Sequence, residues 1–448
     1  MRKIWSALIP EWADHNLRLI LAARAAMSVA RAVSSIVTAL YLADIGFSGL
    51  EIGALFVVVT VFSALVSSTI GLLADRRGRK PFLVVVPLVT AASAVAYAET
   101  RVTALLFAAA ALGSFGRGSG AGAGNVGPYQ PAESALVADS ISSDHRAAAF
   151  GRIAFASTVG ALVGGLLAGL VHTSPHMGTA AAAAAFRPAY LLAAALAVVA
   201  SVVAVFLEEP SRSTPVAAEV RPGLRWPRRS WPALWRFWVT NAVNGAGVGL
   251  FGPFVSYWLY RRYGATPGAI GLLFAVVNLG SLASPLAAAR IAGVVGTVRA
   301  ITTVRALGGV LLVPMVLAPT FWVAGLVYLV RMVLQRVGLP LRQSFTQDMA
   351  HPDERASVAA LSNLPAQATM AGGQALAGYV FDEFSLAAPF ELAAAFQVLN
   401  AVLYTMLFSR WPPRPNADVR TDHSRGPAAG PDPDPRLRRS CFTRPQGL

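Results

Sequence analysis

The chain has 448 residues, of which 55% are hydrophobic and only 13% are charged. Soluble domains carry about 25% charged residues, so a soluble all-helical protein with an oversized core is excluded for want of wettable surface. The formal charge of +15 would point a soluble protein toward nucleic acid. Here Lys and Arg gather in short segments between apolar runs, the pattern of loops at a membrane face.

The segments 52–74, 81–98, 153–171, 188–207, 237–260, 263–289 and 356–381 contain no Asp, Glu, Lys or Arg. A helix rising 1.5 Å per residue needs about 20 apolar residues to cross a hydrocarbon layer of about 30 Å. In chain order the apolar runs predict six spans near 19–42, 50–74, 81–99, 103–126, 148–171 and 187–207. Six more follow near 234–259, 267–288, 299–317, 320–343, 356–380 and 386–409. The Arg-, Pro- and Ser-rich segment 208–232 separates the two sets, and a Pro- and Arg-rich tail, 411–448, follows the last span. The expected architecture is therefore all-α, with one six-helix bundle in residues 1–207 and another in 233–410. The central loop and the tail are expected to be cytoplasmic, the tail without fixed structure.

The distribution of Lys and Arg orients these spans. Arg76, Arg77, Arg79 and Lys80 follow span two, Arg146 follows span four, and Arg212, Arg221, Arg225, Arg228 and Arg229 follow span six. Arg342 and Arg355 flank the break after span ten. All fall on one side if both termini are cytoplasmic, and the opposite side then carries Asp44, Glu51, Glu99, Asp382, Glu383 and Glu391. Arg261 and Arg262 are the exception. The expected location is a bacterial plasma membrane, crossed many times by a monomer in contact with its lipids.

The halves resemble each other. Residues 48–56 (SGLEIGALF) pair with 266–274 (TPGAIGLLF) at an offset of 218, which also pairs Ala74 with Ala292 and Gly78 with Gly296. Residues 144–147 (DHRA) pair with 353–356 (DERA) at an offset of 209, as do Gly169 and Gly378. Internal repeats of this kind are a mark of transporters built from two related bundles.

Between spans two and three the chain reads GLLADRRGRK, from Gly71 through Asp75, Arg76, Gly78 and Arg79 to Lys80. This stretch resembles the loop that joins the second and third helices in the major facilitator superfamily, and the resemblance extends to the spans, the central break and the repeat. It implies twelve helices in two bundles that rock about a central cavity. It also implies that Asp75, Arg76 and Arg79 latch the cytoplasmic gate, with Gly71 and Gly78 allowing close approach. In the second half Gly293 stands where the acid would be, so any latch is expected to be asymmetric. A second family pattern, R-x-x-x-G in span four, is matched poorly by Arg117 and the glycines after it.

Ionisable groups at membrane depth cost at least about 2.5–3.5 kcal/mol on insertion scales and are functional candidates by default. Arg31 lies in span one, Arg117 in span four and Arg331 in span ten; Arg24 is seven residues before Arg31, on the same face. The resemblance implies that spans one, four, seven and ten line the cavity, where span seven adds Asn241 and Asn244 and span eleven adds Asn363. No acid is expected at equal depth. Such a cavity suits an anionic organic solute, since guanidinium forks match carboxylate and phosphate. The competing reading is that the arginines bind backbone carbonyls and hold helices together. Glu133 is the candidate for proton coupling, against a plain reading as a solvated carboxylate at its helix end.

One further motif needs a decision. Gly122, Gly124 and Gly127 have the G-x-G-x-x-G spacing of a dinucleotide loop. That loop needs a preceding strand and a continuing helix, whereas an Ala- and Leu-rich run precedes it and Pro128 and Pro131 follow. The spacing is accidental, and these small residues are expected to pack helices closely, with local unwinding near Gly127. No nucleotide-binding loop of the pump type, no clustered His, Cys or carboxylates and no metal-ligand spacing occur, and the single cysteine, Cys441, lies in the tail. The chain is thus expected to be neither enzyme nor pump and to need no cofactor or metal. The expected function is secondary transport of a small solute by export or exchange. A proton-coupled multidrug or sugar exporter and a receptor on the same fold are the alternatives.

Overall fold

A computed structural model of the protein describes residues 14–115, 127–141, 143–171, 179–209, 226–281 and 284–409. Among these every regular element is helical. The first half comprises α1 (His15–Asp44), α2 (Gly49–Arg77), α3 (Lys80–Glu99), α4 (Thr103–Gly113), α5 (Tyr129–Ser140), α6 (Ser143–Leu167) and α7 (Thr179–Val205). The second half begins with α8 (Trp231–Phe251), α9 (Val255–Tyr263), α10 (Pro267–Gly280), α11 (Ser284–Val295) and α12 (Thr297–Val310). It ends with α13 (Leu312–Val316), α14 (Phe321–Met349), α15 (Arg355–Ser362), α16 (Leu364–Glu383) and α17 (Ala388–Phe408). Eight segments are long and apolar enough to cross a membrane. Elsewhere the described residues form shorter pairs, α4 and α5, α8 and α9, α10 and α11, and α15 and α16.

Each half is a bundle. In the first, α1 packs on α6 and α7, and α3 on α4 and α7; in the second, α8 packs on α16 and α17, and α12 on α14 and α17. The central helix is α1, with every residue from Met27 to Leu42 buried, among them Ser28, Arg31, Ser34, Ser35 and Thr38. Its Tyr41 sits in an aromatic knot with Tyr97, Phe186 and Tyr190, the ring centroids of Tyr41 and Tyr190 being 5.5 Å apart. Outward-facing positions are apolar as well, among them Leu65, Leu166, Phe206, Leu326 and Met406, as lipid contact requires.

The sequence repeat is also a backbone repeat. At the offset of 218, Ser48 and Thr266 both cap helices through their side chains, accepting from Glu51 N and Ala269 N. Gly78 and Gly296 end equivalent helices with φ of 92° and 85°, a left-handed region that glycine enters without steric cost.

The bundles meet at one end. At Gly53 an added Cβ would lie 2.8 Å from the Gln374 carbonyl, and at Gly165 it would lie 2.7 Å from the Gly271 carbonyl. These positions are equivalent across the repeat (53 with 271, 165 with 374), so α2 against α16 and α6 against α10 are the same contact made twice. Both lie toward the end that carries Asp44, Glu51 and Asp382. At the Arg-rich end Gly71, Gly151 and Gly293 have no atom of the described residues within 4 Å of an added Cβ.

Candidate functional site

Arg24 and Arg31 of α1 are both buried, at 4% and 5% exposure. The Arg24 guanidinium donates from Nη1 to Glu133 Oε2 at 2.5 Å, and from Nε to the Ser157 hydroxyl. Glu133, on α5, is only 2% exposed. It is neither solvated nor too shallow to neutralise an arginine: α5 carries its carboxylate into the bundle, where it meets Arg24. Its second oxygen and the nearby Tyr129 hydroxyl have no hydrogen-bond partner among the described residues.

Span four was expected as one helix over 103–126. Instead α4 ends at Gly113, where Ser114 takes a left-handed φ of 55°, and α5 begins at Tyr129. A helix end leaves carbonyls unsatisfied; Arg31 Nη1 donates to one of them, that of Gly113, at 2.8 Å. Arg31 thus holds a backbone break, and Gly127, without a side chain, leaves room for its guanidinium. Arg117 and the glycines at 122 and 124 lie outside the described residues.

The second half contains a cavity of about 120 Å³ lined by Asn244, Arg305, Arg331, Gln335, Arg342 and Gln397, among others. The lining residues of α14 follow helical spacing: Arg331, Gln335, Gly338 and Arg342 at i, i+4, i+7 and i+11 form one stripe. Arg331 is 2% exposed and its donors are engaged: Nε with the Gly308 carbonyl at 3.0 Å and Nη1 with Gln335 at 3.3 Å. Its carbon Cζ lies 4.0 Å from the ring centre of Phe251, a cation–π contact. Arg305 of α12 donates to Asn400 and stands over Tyr404, 5.1 Å from the ring centre. Arg342 reaches Asn241 at 3.5 Å. No carboxylate lines this cavity among the described residues.

Of the predicted positions, Arg331 and Asn244 line this cavity. Asn241 lies beside it, tied to the Ser362 carbonyl at 2.8 Å. Asn363 does not take part: it forms the exposed joint between α15 and α16. Arg305 and Arg342 were missed. Arg342 is a loop residue if charge alone is counted, and the signal that identifies it is its place on the stripe running from Arg331.

The loop between α2 and α3 is held within its own bundle. Arg79 N donates to Glu209 Oε1 at 2.7 Å, and Arg79 Nη1 to the Ala135 carbonyl at 2.6 Å. Gly78 is tight because Glu209 lies against it, whereas Gly71 makes no close approach. The side chains of Asp75 and Arg76 lie outside the described residues. At the other end the bundles are joined by polar contacts. Asp382 accepts from the Gly49 and Leu50 amides at 2.8 Å each, Tyr260 donates to Asp44 at 2.6 Å, and Thr60 donates to Gln374 at 3.0 Å.

Two buried charge systems therefore lie in the two halves. In the first, one of the two buried guanidinium groups, that of Arg24, is paired with a carboxylate, and the other, Arg31, is held by a backbone carbonyl. The second places Arg305, Arg331 and Arg342 around one cavity together with the neutral groups of Asn244, Gln335 and Gln397.

Solved structures share this architecture. A bacterial homologue of the human lysosomal transporter Spinster, captured inward-facing and occupied, superposes with a TM-score of 0.67 at 15% identity, covering 89% of this chain and 98% of that one. The nucleoside transporter NupG gives 0.64 at 14% identity over 88% and 99%. The human organic anion transporter MFSD10 (TETRAN) gives 0.56 at 17% identity over 87% and 100%. No curated protein matches the chain. The family model described as Major Facilitator Superfamily matches twice, over residues 19–243 and 237–445, once for each bundle. The chain belongs to the Major Facilitator Superfamily, a family of transporters.

Proposed function

We propose that the protein is a secondary active transporter that moves a small organic anion by alternating access, as an exporter or exchanger. Similar folds include a nucleoside transporter and an organic anion transporter, so the fold leaves the cargo open and the cavity must decide it. The observation that carries the anion reading is the cavity lined by Arg305, Arg331 and Arg342 with no carboxylate among the described residues. Uncompensated guanidinium groups in a low-dielectric site favour an anion and repel a cation. With both termini in the cytoplasm of a bacterial cell, the closed end faces outward and the parted end inward, so the conformation is inward-facing. The protein works as a monomer, surrounded by lipid, without cofactor.

Counterflow in proteoliposomes tests this. Vesicles loaded with organic anions should accumulate labelled anion from outside, and cationic dyes should not move. Dye flux without anion flux overturns the reading.

A second reading, a proton-coupled multidrug exporter, needs a buried acid, and Glu133 is one. The same assay separates the two, since that exporter drives dye flux with a pH gradient and loses it on Glu133→Gln.

A further inference from the structure

The three arginines of the second-bundle cavity are not equivalent. Arg331 spends its donors on Gly308, Gln335 and the Phe251 face. Arg305 is engaged through one nitrogen, with Asn400, and by the face of Tyr404, and Arg342 has only the long approach to Asn241. A guanidinium carries five N–H donors, so most of the donors on these two remain for a ligand. They also approach the cavity from facing helices at neighbouring levels. The helices α12 and α14 run antiparallel, with Gly308 level with Arg331 and Val304 packed on Gly338. Arg305 therefore lies between the levels of Arg331 and Arg342, nearer the parted, Arg-rich end.

A volume of about 120 Å³ is well below the roughly 300–1,000 Å³ of a site that encloses a drug-sized ligand. It holds a head group, with the remainder of the solute extending toward the opening. A carboxylate neutralises one of the three guanidinium groups and leaves two uncompensated. A phosphate monoester places nearly two negative charges and three acceptor oxygens on one compact centre, and guanidinium binds phosphate through paired hydrogen bonds. A dicarboxylate needs two such places. Gln397 and Asn244, on α17 and α8, line the same space and can donate to the remaining oxygen.

We infer that Arg305 and Arg342 form the receiving site for the phosphomonoester head group of the solute, in its dianionic form. This deepens the transport reading and rests on it for the word solute, but the binding site is testable without transport. The head group can belong to a soluble phosphate ester or to a lipid such as phosphatidate.

The full chain in phosphatidylcholine nanodiscs is titrated calorimetrically with phenyl phosphate and with benzoate. Phenyl phosphate should bind at least about tenfold more tightly than benzoate, the margin expected for an added set of charge-assisted hydrogen bonds. Since the second phosphate pKa is about 6, its affinity should fall as pH is lowered from about 7.5 to about 5.5. These two measurements need no variant. Arg305→Gln and Arg342→Gln should each weaken phenyl phosphate about tenfold or more with little change for benzoate. Arg342→Lys keeps the charge but loses the fork, and should recover binding in part. Adding phosphatidate to the nanodiscs identifies the source: displacement of phenyl phosphate assigns the site to a lipid head group, and its absence assigns it to a soluble ester. Equal affinity for benzoate, or affinity indifferent to pH and to both Gln variants, overturns the inference. Phenyl phosphate binding without any anion flux would defeat the transport reading and leave the site standing. Anion flux in which benzoate moves as well as phenyl phosphate would do the reverse.

Discussion

Arg24 and Glu133 are two charges that each make sense only with the other. Both are buried and 2.5 Å apart, and removing one partner of such a pair costs about 3–5 kcal/mol because an uncompensated charge remains. Glu133→Gln should accordingly lower the thermal unfolding temperature in detergent by several degrees. Replacing both, as Arg24→Met with Glu133→Leu, should restore most of the loss, since apolar groups of similar volume are tolerated at buried pairs. A double variant no more stable than Glu133→Gln alone would show that the pair is not the source of the effect. The pair was half legible in the chain. The shared face of Arg24 and Arg31 follows from their spacing of seven, but the carboxylate lies more than one hundred residues away on α5, and only the packing of that helix carries it inward.

At the scale of elements, the closed end is latched by a helix cap supplied from the opposite bundle. The first amides of α2 have no partner within the helix; Ser48 serves the Glu51 amide, and Asp382 of α16 serves those of Gly49 and Leu50. Losing such a cap costs about 1–2 kcal/mol, roughly tenfold in the equilibrium between closed and parted. Asp382→Ala should therefore raise maleimide labelling of a Thr60→Cys probe, placed in a Cys441→Ser background, severalfold from the acid-bearing face; unchanged labelling would rule out the latch. Gly71 makes the opposite prediction. No atom of the described residues lies within 4 Å of an added Cβ there, so Gly71→Leu should leave thermal stability nearly unchanged, within about 0.5 kcal/mol. If the Arg-rich end must close in each cycle, the same variant should abolish counterflow while ligand still binds. Counterflow at the original rate would mean that α2 does not close through Gly71.

For the whole molecule, the chain alone decides the solvent and the architecture. A 13% charged composition and charge-free runs of spanning length leave no soluble alternative, and the offsets of 218 and 209 announce two related bundles before any coordinate. These properties are readable because they are local or periodic: hydropathy and capping act within a few residues of one another. Contacts between distant helices are not readable in this way. Whether Arg31 meets a ligand or the Gly113 carbonyl, and whether Glu133 is solvated or paired, depends on where helices break and how they pack. So does the way Arg305 and Arg342 share one cavity while Asn363 stands outside it. Only the tertiary structure decides these, because a charge at membrane depth is stabilised by whatever group the fold brings within about 3 Å of it, and that group is rarely its neighbour in the chain.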